Sequence, residues 1–162
     1  MSLTEGFAEF FDENYAKVLG ALRLVVADRE RAEDRAQEAF LRAYRDWSRI
    51  GSMDRPVTWV YVVALNDERR RWKRRRIDST DREPDLPLPD IAGPVVTAIA
   101  IRDALKSLTE RQRTVVVLRF FSELRVAEIA RVMGCAEGTV KATLHQSLAR
   151  LRIEMEIDPD ED

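Results

Sequence analysis

Residues 32–47, "AEDRAQEAFLRAYRDW", set Glu33, Asp34, Gln37, Glu38 and Arg42 around an apolar stripe of Ala36, Ala39, Phe40, Ala43 and Tyr44. Asp34, Glu38 and Arg42 recur every four residues, so on a helix they share one polar strip. As intrahelical ion pairs they contribute only about 0.2–0.5 kcal/mol each. The sharper reading is a docking face for another protein. A second cluster, "RRRWKRRR" at residues 69–76, surrounds Trp72 with seven cations. It reads either as a solvated basic helix end or as a phosphate-binding surface, with Trp72 stacking on a base or capping a small core. Trp59, Tyr61 and Asn66 are core or base-facing, depending on how their helix is rotated.

A third group lies near the C-terminus. "RVAEIARVMG", the turn "GCA" and the longer "EGTVKATLHQSLARLR" have the form of a helix-turn-helix. Gly138 and Thr139 permit close approach of the second helix to phosphates or base edges, while Lys141, Ala142 and His145 lie opposite the Val140 and Leu144 stripe. Cys135 in the turn reads as a small core residue and His145 as a surface or DNA-facing one. One cysteine and one histidine build neither a disulfide framework nor a self-contained zinc site, so neither a metal nor another cofactor is expected.

The surrounding chain must position these groups. Its 162 residues are 45% hydrophobic and 35% charged, a composition that suits charge-rich helices. The net charge of −2 hides a segregation: residues 67–77 hold seven Lys/Arg against two acids and residues 99–152 ten against five. The balancing acids lie in residues 78–90, five against Arg82, and in residues 153–162, six against none. The opening "MSLTEGFAEFFDE" lacks the basic-then-apolar pattern of a secretory signal, and "WVYVVAL" and "VVTAIAI" are too short to span a bilayer, so a cytoplasmic protein without membrane insertion is expected.

Apolar residues at three- and four-residue spacing from Phe7 to Val26 predict a first helix, and Asp28 predicts the cap of a second reaching about Trp47. Asp54 and Pro56 suggest the start of a third, running unbroken to residue 76. Residues 77–94, with four prolines, read as an acidic linker. Beyond them, Val95 to Leu108 reads as a helix, "TERQ" as a capping box, and Gly134 as a helix stop. The final helix is expected to set Val140, Leu144, Leu148 and Leu151 on one face.

These segments together resemble the extracytoplasmic-function sigma factors of bacterial RNA polymerase, the smallest of the sigma-70 type. "AEDRAQEAFLRAYRDW" is similar to their region 2.2, "RPVTWVYVVALNDERRRWKRRR" to regions 2.3 and 2.4, and "LTERQRTVVVLRFFSELRVAEIARVMGCAEGTVKATLHQSLARLR" to region 4. The resemblance implies an all-α chain of two small helical domains: region 2 over residues 1–76, the linker at 77–94, region 4 over 95–153, and an acidic tail at 154–162. It implies that Asp34, Gln37, Glu38 and Arg42 grip the β′ coiled coil of core polymerase. By the same resemblance Trp59, Tyr61 and Asn66 open and capture the −10 element, with Arg69, Arg70, Trp72 and Lys73 on its phosphates. Glu137, Thr139, Lys141, Ala142 and His145 correspond to the face that reads the −35 element, and Arg111 to Arg119 to the helix near the β flap. An anti-sigma partner is common among such proteins, and none is an enzyme by itself.

Some positions depart from that pattern. Val62 stands where an arginine is frequent, and Thr143 and Gln146 also replace frequent arginines. Arg125 and Ala136 replace serines, which removes a side-chain cap from each helix of the DNA-binding pair, at about 1 kcal/mol each. Weak DNA binding by the free protein is expected. The rival readings are a helix-turn-helix regulator acting alone and, more remotely, a nuclease built on Asp/Glu pairs.

Overall fold

The computed structural model describes residues 2–26, 28–78 and 103–154, and every regular element among them is helical. Helix α1 (Leu3–Val25) opens on a reciprocal cap: Ser2 Oγ accepts from the Glu5 N–H at 3.2 Å while Glu5 accepts from the Ser2 N–H at 3.1 Å. Helix α2 (Arg29–Arg45) starts at Asp28, whose carboxylate accepts from the N–H groups of Glu30 and Arg31. A short α3 (Trp47–Ile50) follows, then α4 (Pro56–Ala64) and α5 (Asn66–Asp78). The N-cap position of α4 is Arg55 rather than Asp54, with Pro56 in the first turn, where its missing N–H is harmless.

The unbroken helix expected from residue 56 to 76 is interrupted. Leu65 takes φ −101° and ψ 10°, so α4 ends and α5 begins anew. The preceding Val57, Val60, Val62 and Val63 are stiff at χ1 and weak helix formers. With its own side chain fully buried, Leu65 makes an anchored corner. The basic cluster therefore belongs to a helix of its own, separate from the apolar one before it.

In the C-terminal unit a helical turn at 103–106 precedes α6 (Glu110–Val116). Thr109 caps α6 as its sequence predicts, accepting from the Gln112 N–H while Gln112 accepts from the Thr109 N–H. The chain then loosens into a π-helical segment, Val117–Phe121. Helix α7 (Val126–Met133) stops at Gly134, which sits at φ 68°, a left-handed conformation open to glycine at little steric cost. Helix α8 (Glu137–Glu154) completes the helix-turn-helix. Its buried face differs from the expected stripe: Ser147 is fully buried and Leu148 is exposed. The Ser147 hydroxyl donates to the Thr143 carbonyl at 2.6 Å, so a serine turns inward without leaving a polar group unpaired. Ile77 and Asp78, expected to open the linker, instead continue α5, while residues 79–94, the first part of the helix proposed for Val95 to Leu108, and the acidic tail beyond Glu154 lie outside the described residues.

Packing starts with alanines. Ala32, Ala36, Ala39 and Ala43 are fully buried, and their small side chains let α2 lie closely along α1. Aromatic rings fill the remaining space: Phe11 meets Phe40 edge-on at 5.4 Å and Phe7 meets Trp47 edge-on at 5.5 Å, contacts that align ring edge with ring face. Helix α4 lies between α2 and α7, and α1 also touches α6 and the π-helical segment. The two helical units thus share one continuous core. At the join, a side chain on Gly20 would come within 3.1 Å of the Phe121 ring, so the bare backbone of α1 is what seats that ring.

Candidate docking and nucleic-acid interfaces

The polar strip of α2 faces outward. Asp34, Gln37, Glu38 and Arg42 are all exposed, and the Arg42 Nε donates to Glu38 Oε1 at 2.8 Å across one helical turn. Glu33 belongs elsewhere: it accepts from Arg23 of α1 at 2.8 Å and ties the two helices together. Asp34, Glu38 and Arg42 border a groove that reaches Asn66 and Asp67. Next to this strip, Leu41 and Tyr44 are 43% and 49% exposed. Leu41 carried no signal in the sequence because it falls outside the helix's apolar period. In the structure it adds apolar area beside charged groups, the composition of a protein-binding patch.

The residues expected to face the −10 strand are divided. Arg70 and Lys73 are exposed; Trp59, Asn66 and Arg69 are half-buried; Tyr61 and Trp72 are buried, at 1% and 3% exposure. Asn66 Oδ1 accepts from Arg69 Nη2 at 2.6 Å. The Trp72 indole N–H has no hydrogen-bond partner among the described residues. The −35 set behaves differently. Glu137, Lys141, Ala142 and His145 are exposed along α8 and Thr139 is half-buried at its start, while a side chain added at Gly138 would meet nothing within 4 Å. That helix start is open to solvent. Cys135 is half-buried and packs against the core.

What covers Tyr61 is the other helical unit. Its hydroxyl lies 2.8 Å from Ser122 Oγ, and burial pushes the phenol up to about 12, with the Ser122 hydrogen bond offsetting part of the rise. Three residues along α4, the buried Thr58 donates its hydroxyl to Glu128 of α7, and Arg55 Nε reaches the same carboxylate at 3.2 Å. Burial alone would raise the pKa of Glu128. The bonds from Thr58 and Arg125 and the charge of Arg55 outweigh burial and hold it below the ordinary carboxylate range. Glu128 also accepts from the Arg125 backbone N–H at 3.0 Å, so α7 recovers at its third position half of the capping lost when arginine stands at the cap.

Further contacts extend the seam. Arg71 donates to the buried Glu110, Lys17 pairs with Glu123 at 3.3 Å, and Arg125 approaches Asp54 at 3.8 Å. The stem of Arg69 lies over Gly134, where an added Cβ would come within 2.8 Å of its Cδ. Within the N-terminal unit, Glu68 is buried and pairs with Arg35 at 3.1 Å; burial raises its carboxyl above the usual range against the pull of Arg35. Among the described residues no group of His, Cys, Asp and Glu is placed to hold a metal ion, and no helix is long and apolar enough to cross a membrane.

Comparison with known proteins matches both units. The family model "Sigma-70 region 2" matches residues 10–77 and "Sigma-70, region 4" matches residues 98–151. The chain is 33% identical over 93% of its length, and 85% of the relative's, to the RNA polymerase sigma-E factor of Streptomyces avermitilis. It is 34% identical over 90% of its length, and 86% of the relative's, to the ECF RNA polymerase sigma factor SigL of Mycobacterium tuberculosis. A solved structure of the sigma factor RpoE of Bartonella quintana, crystallised with the anti-sigma factor NepR, shares the fold at a TM-score of 0.64, with 23% identity over 93% of this chain and 99% of that one. With two matched regions in order and relatives aligned along nearly the whole chain, this protein belongs to the extracytoplasmic-function group of the sigma-70 family, the sigma factors of RNA polymerase.

Proposed function

We propose that the chain carries out promoter-specific initiation through three separate faces. The strip Asp34, Gln37, Glu38 and Arg42 on α2 docks on the β′ coiled coil of core polymerase, with Leu41 and Tyr44 as its apolar flank. Trp59, Tyr61 and Asn66 open the −10 region and hold a flipped base, while Arg69, Arg70, Trp72 and Lys73 line the adjoining phosphates. Glu137, Thr139, Lys141, Ala142 and His145 read the −35 element in the major groove. The chain supplies positioning and strand capture, and nucleotide addition belongs to the polymerase. Residues 1–76 and 95–153 act as the two working domains, the protein acts in the cytoplasm, and an anti-sigma factor is the expected antagonist.

The observation that carries this reading is the α2 strip. Its charges point to solvent, are ordered over two helical turns, and lie beside exposed apolar side chains, although nothing in the fold requires them there. The test mixes purified protein with sigma-free core polymerase of its own organism, looks for co-elution, and then for run-off transcripts from a genomic fragment library. Asp34→Ala/Glu38→Ala is expected to weaken core association by at least about tenfold and to remove the transcripts. Undiminished association of the double variant would overturn the assignment of this face.

A further inference from the structure

Helix α5 carries Asn66, Arg69, Arg70 and Lys73, yet the corner at Leu65 breaks its continuity with α4, so its roll about its own axis is not inherited from the helix before it. Among the described residues, the ion pairs that α5 makes with the N-terminal unit both go to one side chain. Arg35 of α2 donates from Nη1 to Asp67 Oδ2 at 3.0 Å, and its Nε lies 3.1 Å from Glu68 Oε1. Only 19% of the Arg35 side chain is exposed; Glu68 is buried at 1%, whereas Asp67 stands at the rim with 68% exposed. The two carboxylates belong to consecutive residues in the first turn of α5 and point about 100° apart around its axis. A single ion pair would hold α5 at a distance and still let it roll. A planar guanidinium that engages both neighbours at once fixes the roll as well.

We propose that Arg35 is a positioning residue for −10 strand capture: by gripping Asp67 and Glu68 together it sets the roll of α5, and with it the face that Asn66, Arg69, Arg70 and Lys73 present to the strand. The inference rests on the sigma-factor reading of α5. Arg35 acts through its two partners and touches no strand itself, since its guanidinium is engaged inside the fold. The hydrogen bond from Arg69 Nη2 to Asn66 Oδ1 at 2.6 Å joins two of the strand-facing residues to the same first turn, so a roll at Asp67 moves both. A lysine in place of Arg35 would still bring a charge to the buried Glu68. Its ammonium is a point charge on a flexible stem, however, and holds one carboxylate without fixing the second. The fork serves the roll, while a cation of either kind serves the burial of Glu68.

The test reconstitutes core polymerase with wild-type protein, Arg35→Lys, Asp67→Asn and the double variant. Arg35→Lys keeps a cation beside Glu68 and Asp67→Asn alters an exposed carboxylate, so each is expected to keep the wild-type melting midpoint and to co-elute with core polymerase as the wild type does. The probe is a labelled single strand carrying the −10 sequence of a promoter recovered from the fragment library. Each single variant in complex with core is expected to bind it about three- to fivefold more weakly, the scale of one partly exposed ion pair, with transcripts reduced in step and binding of a −35 duplex unchanged. The double variant is expected to be no weaker than either single one, because both substitutions undo the same grip. Wild-type strand affinity in both single variants would overturn the proposal, as would a double variant whose loss is the product of the two. Parallel losses in melting midpoint, core association and −35 binding would give Arg35 a role in stability alone and overturn it too. Loss of core association by Asp67→Asn only would place Asp67 in the docking face, against the proposal. Wild-type protein that neither joins core polymerase nor binds the strand would instead remove the sigma-factor reading, a failure told apart because it appears without any substitution.

Discussion

Helices α4 and α8 are assigned the same kind of work, contact with promoter bases, yet the structure presents them in opposite ways. The outer face of α8 is bare, with Lys141, Ala142 and His145 exposed and open space around Gly138. The corresponding face of α4 is occupied: Thr58 and Tyr61 are hydrogen-bonded to the other unit and withdrawn from water. The proposed roles account for the difference. A reader of duplex DNA approaches an already formed groove and can wait in the open. A helix that captures a flipped base exposes aromatic surface, which in the free protein invites non-specific contacts unless something covers it.

The most direct way to break this contrast is to force α4 open. Ser122→Trp puts a bulky neutral side chain against the Tyr61 hydroxyl, where overpacking cannot be absorbed without parting the seam. The free variant is expected to bind a pool of random single-stranded DNA about tenfold more tightly than the wild type, with its helical far-ultraviolet spectrum unchanged. Because no charge is added, the gain cannot come from general attraction to phosphate. If affinity stays flat while scattering shows the units separated, the covered face of α4 is not a strand-binding surface.

A smaller effect separates the two glycines that flank the helix-turn-helix corner. Gly134 holds φ 68° beneath the stem of Arg69, whereas Gly138 has nothing within 4 Å. Gly134→Ala is expected to lower unfolding stability by about 1–2 kcal/mol, from backbone strain plus displacement of Arg69. Gly138→Ala is expected to be neutral or slightly stabilising, by a few tenths of a kcal/mol. Urea midpoints of the two variants read the difference, and equal midpoints would mean that Arg69 does not rest on the corner in solution.

Much of this arrangement is legible in the amino-acid sequence because it depends on local rules. The Thr109 capping box, the Asp28 cap, the Gly134 stop and the polar strip of α2 follow from side-chain chemistry within a few residues. The misses have another origin. The corner at Leu65 and the inward Ser147 come from tertiary packing, which overrides the periodicity of an isolated helix. The seam is the least legible part, since Thr58 and Glu128 lie 70 residues apart and each looks like an ordinary helix residue by itself. Tyr61 and Trp72 could have been core or base-facing; in the free chain both are buried. The burial of Tyr61 comes with its contact to Ser122 of the other unit, which helix rotation alone does not reveal.

The finest test of the contrast uses pH, because Glu128 lies in the seam while no carboxylate among the described residues does comparable work on the outer face of α8. Thr58, Arg55 and Arg125 all stabilise the ionised form of Glu128, with Asp54 across from Arg125 as the nearby opposing charge. A group whose pKa is lowered by folding contributes stability that is present above its unfolded value and lost as pH falls through its folded one. The closed form should therefore hold through neutral pH and weaken as pH drops below the ordinary carboxylate range. Glu128→Gln keeps an acceptor for Thr58 but carries no charge, so its closure should be somewhat weaker at neutral pH and flatter toward acid. Fluorescence transfer between a dye at each unit, followed from about pH 7 to about pH 4, reads the separation directly. Identical acid profiles for wild type and Glu128→Gln would assign any opening to other carboxylates and leave Thr58 as a neutral hydrogen-bond donor whose partner's charge is immaterial.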